Sequence, residues 1–263
     1  MSLASHGIQN TQVCEFIFKV EADSELSLRP GEIHVWRRQL GCDRTNIEAL
    51  REVLSPDELA RAARFHFASN RDEFIVSRGT LRTLLSRYLR QRASKLRFRY
   101  SQYGRPELWA NGDTTALEFN VSHSGGVLVL AFANDRRIGI DVERVRSDFS
   151  TTEIAERFFS VAERAVLREL PVEQQHEAFF RCWTRKEAFI KALGEGLSHP
   201  LDQFDVSLAP GLPPALLGTR PDAEDARRWF LWDIAVSEGY VGALAAEVFR
   251  MMNFRSIDHP CDS

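Results

Sequence analysis

Asp141 and Glu143 stand one residue apart in the segment Gly139-Ile140-Asp141-Val142-Glu143. On a β-strand successive side chains alternate faces, so the two acids point one way while Ile140 and Val142 pack the other way. Neighbouring carboxylates repel, and a hard divalent cation with oxygen ligands relieves that repulsion. A solvent-facing strand edge with two ordinary acids is the plain alternative. Glu187 and Lys191 form a second pair, four residues apart in Phe179-Phe180-Arg181-Cys182-Trp183-Thr184-Arg185-Lys186-Glu187-Ala188-Phe189-Ile190-Lys191. At helical spacing they share a face. Phe180, Trp183 and Thr184 lie on or near the same stripe, which points to partial burial rather than a routine surface ion pair. A third group is Phe119-Asn120-Val121-Ser122-His123-Ser124-Gly125-Gly126. Hydroxyl and imidazole donors followed by glycines with accessible backbone N–H groups make a phosphate cradle. It is not a P-loop, because GxxxxGK[ST] is absent. A Ser–His hydrolase is disfavoured too: Ser122 and His123 are adjacent on a strand and face opposite ways, and no GxSxG elbow occurs. Taken alone, His123 reads more readily as a structural histidine than as a ligand.

The elements that must position these groups follow from periodicity and punctuation. Leu54-Ser-Pro-Asp-Glu starts a helix, with Ser55 as cap, Pro56 in the first position and Glu58 three residues after the cap, running to about Phe65. A second helix over about 71–91 carries Phe74, Leu81, Leu84, Leu85 and Tyr88 as its apolar stripe. Strands are expected at 14–20, 33–37, 96–100 and 117–122, with a Gly104-Arg105-Pro106 turn and a turn-rich Asn111-Gly112-Asp113. The runs 127–134 and 138–143 read as an antiparallel pair around Asn134-Asp135-Arg136-Arg137. Helices follow at about 151–158, 162–170 and 173–193, the last ended by Gly194 and Gly196. Strands near 204–208, 229–236 and 240–246 complete the pattern, with a loop over 210–221 and frayed last residues. The two halves echo each other faintly, each placing a phenylalanine before a long helix and strands after it. The expected division is into residues 1–124 and 125–263, the second half carrying the acids.

Bulk properties narrow the class. The chain has 263 residues, a formal net charge of −3 and 44% hydrophobic residues, which suits a folded protein of one large or two small domains. The longest apolar run, Val127 to Ala133, is far too short to span a bilayer. No basic and then apolar N-terminal stretch marks a secretory signal. Cys14, Cys42, Cys182 and Cys261 are scattered, without a CxxC pair or Cys/His cluster, so a reducing cytoplasm fits and a zinc site or disulfide framework does not. Between Arg61 and Arg105 twelve basic residues face only Asp72 and Glu73, which favours an anionic ligand or acidic partner. Sparse aromatics and the lack of a recognition motif argue against nucleic acid.

The blocks FNVSHSG, GIDVE and WTRKEAFIKALGEGLS, in this order and at these separations, resemble the signature blocks of the Sfp-type 4′-phosphopantetheinyl transferases. The resemblance continues through LSPDELARAARF, RDEFIVSRGTLRTLL and the GRP turn, and covers most of residues 54–208. It implies an α/β (α+β) fold of two similar halves related by a pseudo-twofold axis, with the site in the cleft between them. It also implies Mg²⁺ as cofactor on Asp141, Glu143 and Glu187, with coenzyme A as co-substrate. Lys191 then contacts the pyrophosphate with Lys186 nearby. Ser122, His123 and Arg105 hold phosphates, and Arg61 and Arg78 lie toward the nucleotide end. Many members have lysine where Arg105 stands, and some have histidine where Ser77 stands.

The implied reaction is attack by a serine hydroxyl of an apo acyl or peptidyl carrier protein on the β-phosphorus of coenzyme A, leaving adenosine 3′,5′-bisphosphate. Glu187 is the assigned base, directly or through a water. The partner is expected to be a small acidic carrier docking near Ser160–Leu170, and the enzyme to be a cytoplasmic monomer. Two rivals share the same residues: a Mg²⁺-dependent pyrophosphate hydrolase, and a non-catalytic module that binds coenzyme A or a carrier.

Overall fold

The computed structural model describes residues 12–17, 26–40, 47–109, 116–148 and 150–248. The first sheet has four strands, β1 (Gln12–Ile17), β2 (Glu32–Gln39), β5 (Leu117–Ser124) and β6 (Val127–Asn134), in the order β1-β2-β6-β5. The second has three, β7 (Ile138–Arg144), β10 (Trp229–Asp233) and β11 (Tyr240–Glu247), in the order β10-β11-β7. Small hairpins are formed by β3 (Phe98–Tyr100) with β4 (Pro106–Leu108), and by β8 (Phe204–Val206) with β9 (Leu216–Thr219). The helices are α1 (Ile47–Glu52), α2 (Pro56–Ala62), α3 (Ala68–Tyr88), α4 (Thr151–Phe158), α5 (Val161–Glu169) and α6 (Val172–Leu193). No described helix is long and apolar enough to cross a membrane.

The alternation of β6 explains the layering. Leu128, Leu130 and Phe132 pack with Leu81, Leu84 and Leu85 of α3, while Val127, Val129, Ala131 and Ala133 meet Ile138, Ile140 and Val142 of β7. One set of side chains thus faces a helix and the other faces the second sheet. On the far side, Phe189 and Ala188 of α6 pack with Ala243 and Ala245 of β11. The molecule is layered helix, sheet, sheet, helix, an α+β arrangement. α6 comes so close to β7 that a Cβ on Gly139 would lie 2.0 Å from the Ala188 carbonyl oxygen and 2.4 Å from the Ala192 nitrogen. Glycine at this position lets the helix rest directly on the strand beside Asp141.

The two halves repeat a common plan. The strand order β2-β6-β5 in one corresponds to β7-β11-β10 in the other, first strand, last strand, middle strand. Each half also builds the same buried polar unit. The Ser55 N–H donates to Glu58 Oε2 at 3.0 Å and the Ser160 N–H to Glu163 Oε2 at 2.9 Å. Each of these glutamates meets a cation from the following long helix, Arg82 at 2.6 Å and Lys186 at 2.8 Å. Each cation also donates to two backbone carbonyls beyond its helix, those of Ala93 and Leu96 for Arg82, and those of Leu201 and Phe204 for Lys186. Finally each lies over a phenylalanine of the next hairpin, Phe98 or Phe204. The weak echo in the sequence is a strong echo in space.

Several expectations change. The runs 127–134 and 138–144 are not ladder partners: β6 spends its two edges on β2 and β5, and β7 pairs with β11. The chain switches sheets at Asp135, whose φ is 55°. Sheet membership therefore carries the first half through Asn134, and a division at 124/125 would cut between the paired strands β5 and β6. β9 lies inside the stretch read as loop, and α1 and β4 were not foreseen. Asn111-Gly112-Asp113, Cys42, Cys261 and the last residues lie outside the described residues.

Candidate functional site

β7 gives one edge to β11 and turns the other toward β5. Side chains, not backbone, close that second edge. Asn120 Oδ1 accepts the Ile140 N–H at 3.0 Å, Ser122 Oγ the Val142 N–H at 3.4 Å and Ser124 Oγ the Arg144 N–H at 3.2 Å. The period of two on both strands keeps these three contacts in register. Between them, Asp141 and Glu143 point away from the inter-sheet core, as the alternation requires.

Asp141 is 3% exposed. Its Oδ1 accepts from Ser122 Oγ at 2.8 Å and from Lys191 Nζ at 2.6 Å, while Oδ2 is buried with no hydrogen-bond partner among the described residues. Glu143 Oε2 accepts from Ser124 Oγ at 2.7 Å. Burial raises the Glu143 carboxyl above its ordinary range against the Ser124 hydrogen bond, and the Asp141 charge adds to the rise. Glu187 is pushed up to about 7, first by burial and then by the charge of Asp141, with Lys191 opposing and Glu143 adding. The three acids and Lys191 therefore act on one another electrostatically. Lys191 also donates to Ser122 Oγ at 3.0 Å and to the Ile140 carbonyl at 3.3 Å. Its ammonium thus turns to the strand acid.

Beside this cluster lies a cavity of about 530 Å³, walled by Arg105, Phe119, Val121, Glu187 and Lys191. Arg105 is braced by the Lys191 carbonyl at 2.9 Å, the Phe119 carbonyl at 3.3 Å and Glu118 at 3.4 Å. The Gly104-Arg105-Pro106 turn of the first half is thereby tied to the end of α6. Burial raises the Glu118 carboxyl, opposed by Arg105.

The oxygen-only donor set and the unpartnered buried Asp141 Oδ2 fit a hard divalent cation. Among the described residues, no three His, Cys, Asp or Glu side chains are drawn into a preformed metal cage. The Lys191 ammonium serves as the counter-charge at Asp141.

The remaining expected site residues part company with this group. Lys186 does not reach the cavity. Its side chain is fully buried on Glu163 and on the Leu201 and Phe204 carbonyls, because one helical step from Glu187 turns it by about 100° toward α5 and β8. It is the structural counterpart of Arg82, which corrects its assignment to catalysis and phosphate binding. His123 is exposed on the face opposite Ser122. Arg78 sits by Glu58 at 3.4 Å and over the rings of Phe74, Phe98 and Tyr100, and Arg61 is exposed over Phe74. These two arginines form a second basic and aromatic cluster on α2, α3 and β3. Cys182 is core, and burial pushes its thiol up. The ladder roles of Asn120 and Ser124 went unread, although their period-two spacing with Ser122 was a visible signal.

Comparison with known proteins identifies the family. Residues 137–245 match the model of the 4′-phosphopantetheinyl transferase superfamily, and residues 41–135 match that of the 4′-phosphopantetheinyl transferase N-terminal region. The 4′-phosphopantetheinyl transferase HetI of Nostoc sp. is 38% identical over 224 residues, 85% of this chain and 91% of its own length. The 4′-phosphopantetheinyl transferase Sfp of Bacillus subtilis is 34% identical over 161 residues, 61% of this chain and 69% of its own. The solved Chronobacterium ammoniagenes ACPS–CoA complex aligns with a TM-score of 0.34 at 18% identity, covering 44% of this chain and 98% of that one. The chain belongs to the 4′-phosphopantetheinyl transferase superfamily, and its activity is the transfer of phosphopantetheine to a carrier protein.

Proposed function

We propose that the cavity beside β5 takes the pyrophosphate end of coenzyme A and that Asp141, Glu143 and Glu187 hold Mg²⁺ there. The products are then the holo-carrier and adenosine 3′,5′-bisphosphate. When bound, the cation supplies neutralisation of the pyrophosphate charge. The chain supplies the rest. Lys191 carries a positive charge at the junction of Asp141 and the cavity wall, where negative charge grows on the phosphate oxygens. Arg105 adds charge to the cavity wall, held in place by its three acceptors. Glu187, directly or through a water, takes the proton of the carrier serine. The single observation behind this reading is that Asp141 of β7, distant in sequence from α6, pairs with Lys191, which together with Glu187 lines the cavity.

The carrier is read as acidic and as docking at α5, where Val161 is 75% exposed among Arg157, Arg164 and Arg168. In this reading the enzyme is a cytoplasmic monomer with no nucleic-acid or membrane partner.

The test is incubation of the chain with coenzyme A, Mg²⁺ and a panel of apo-carrier proteins, read by intact mass. A carrier heavier by one phosphopantetheine supports the proposal, and Asp141→Asn should abolish the gain while the chain stays folded. Free phosphopantetheine without a mass gain would identify a hydrolase, and binding without turnover a non-catalytic module.

A further inference from the structure

The side-chain ladder between β5 and β7 does more than join two strands. A hydroxyl has one proton to give and two lone pairs that accept. Ser124 accepts the N–H of Arg144 and gives its proton to the carboxylate of Glu143, the residue just before. Ser122 does the same one step back. It accepts from the Val142 N–H and Lys191, and donates to Asp141. Its capacity is then full, which leaves no donor for a phosphate in this arrangement. Asn120 supplies the internal comparison: it accepts the Ile140 N–H, and the preceding residue on β7 is Gly139, which has no side chain to orient. The ladder needs only an acceptor at each rung. A hydroxyl stands at the two rungs where β7 carries an acid.

We propose that Ser124 is a positioning residue that acts through Glu143, its hydroxyl fixing the carboxylate to the backbone of β7 in the orientation a divalent cation requires. This rests on the reading that Asp141, Glu143 and Glu187 hold the cation. Partners that orient metal ligands are worth about 10–100-fold in metal affinity. Ser124→Ala keeps the strand but removes the hydroxyl, and Ser124→Thr restores it.

The experiment is Mn²⁺ titration of the full chain, alone and with coenzyme A present, followed by calorimetry and by the Mn²⁺ spin-resonance signal, with melting curves in parallel. The expected result is roughly 10–100-fold weaker Mn²⁺ binding in Ser124→Ala, with recovery in Ser124→Thr. Wild-type affinity in Ser124→Ala overturns the proposal. So does equal loss in both variants, which would assign the position to packing. An alanine variant unfolded at the assay temperature would assign the hydroxyl to strand docking and likewise overturn it. If the wild-type chain itself takes up no Mn²⁺ under either condition, the underlying metal reading fails instead. Asp141→Asn serves as the reference for loss of a direct ligand.

Discussion

Replacing Lys186 by methionine separates fold from chemistry most sharply. The side chain is 0% exposed and its ammonium makes an ion pair with Glu163 at 2.8 Å, plus bonds to the Leu201 and Phe204 carbonyls at 2.6 and 2.7 Å. Removing one partner of a buried pair costs about 3–5 kcal/mol, because the other charge is left stranded. Here Glu163 keeps the Ser160 N–H at 2.9 Å and the Val206 N–H at 2.8 Å, so the lower end applies. At about 2–4 °C per kcal/mol for a chain of this size, Lys186→Met should lower the melting temperature by roughly 6–12 °C. The double variant Lys186→Met/Glu163→Gln should recover part of that loss, since it leaves no unpaired charge and keeps an acceptor oxygen for the backbone donors. Turnover of coenzyme A and an apo-carrier, measured well below the melting transition, should stay within a few-fold of wild type. A variant that melts normally yet loses activity by about 10² would refute this reasoning and return Lys186 to the catalytic group.

Lys191→Ala should lower kcat by about 10² or more and also lower the melting temperature of the metal-free chain, because it strands the buried Asp141 carboxylate. The Glu187 carboxyl, at about 7 in the metal-free folded chain against an ordinary 4.5, sets a pH trend in stability. Folded, the group holds its proton to higher pH than unfolded, so it contributes stability below about 4.5 that is lost as pH rises through about 7. Denaturant titrations of the metal-free chain should show this decline, and Glu187→Gln should flatten it. Gly139→Ala would drive a Cβ into the Ala188 carbonyl and the Ala192 nitrogen, so α6 must shift; a stability loss of about 1–3 kcal/mol and reduced activity are expected. A melting curve unchanged from wild type would show that α6 and β7 yield more easily than their contact implies.

The parts legible in the sequence were those set by local periodicity. The period of two placed Asp141 and Glu143 on one face, and 3.6-residue spacing placed Glu187 with Lys191. Helices α4, α5 and α6 fell within a residue of their expected bounds at each end, because a capping serine or proline starts each and the glycine cap at Gly194 (φ 79°) ends α6. What stayed hidden depended on partners distant along the chain. The run from Val127 to Ala133 is apolar on both faces, so its pattern shows burial but not which strands take its edges. Lys186 and Lys191 look alike as lysines of one helix. Only the packing of α6 between α5 and β7 decides that one is a buried strut and the other meets Asp141. α1 is only six residues long, too short for its amphipathic pattern to stand out from the chain around it.

The repeated architecture explains why only one half carries the acids. In the first half, β2 lies between β6 and β1, so both of its edges are closed by backbone ladders. In the second half, the corresponding strand β7 has, among the described residues, a ladder on one edge only, with β11. Its other edge is met by the side chains of Asn120, Ser122 and Ser124, which hold β5 farther off than a backbone ladder would. That separation admits polar groups where a continuous sheet would exclude them. It lets Asp141 accept from Ser122 and from a lysine of α6 at the same time. A strand edge left open to side chains is a liability for folding. Here it is closed by the same three residues that border the cavity or orient its acids. The duplicated frame supplies rigidity twice, and the proposed site lies at the one edge where the duplication is incomplete.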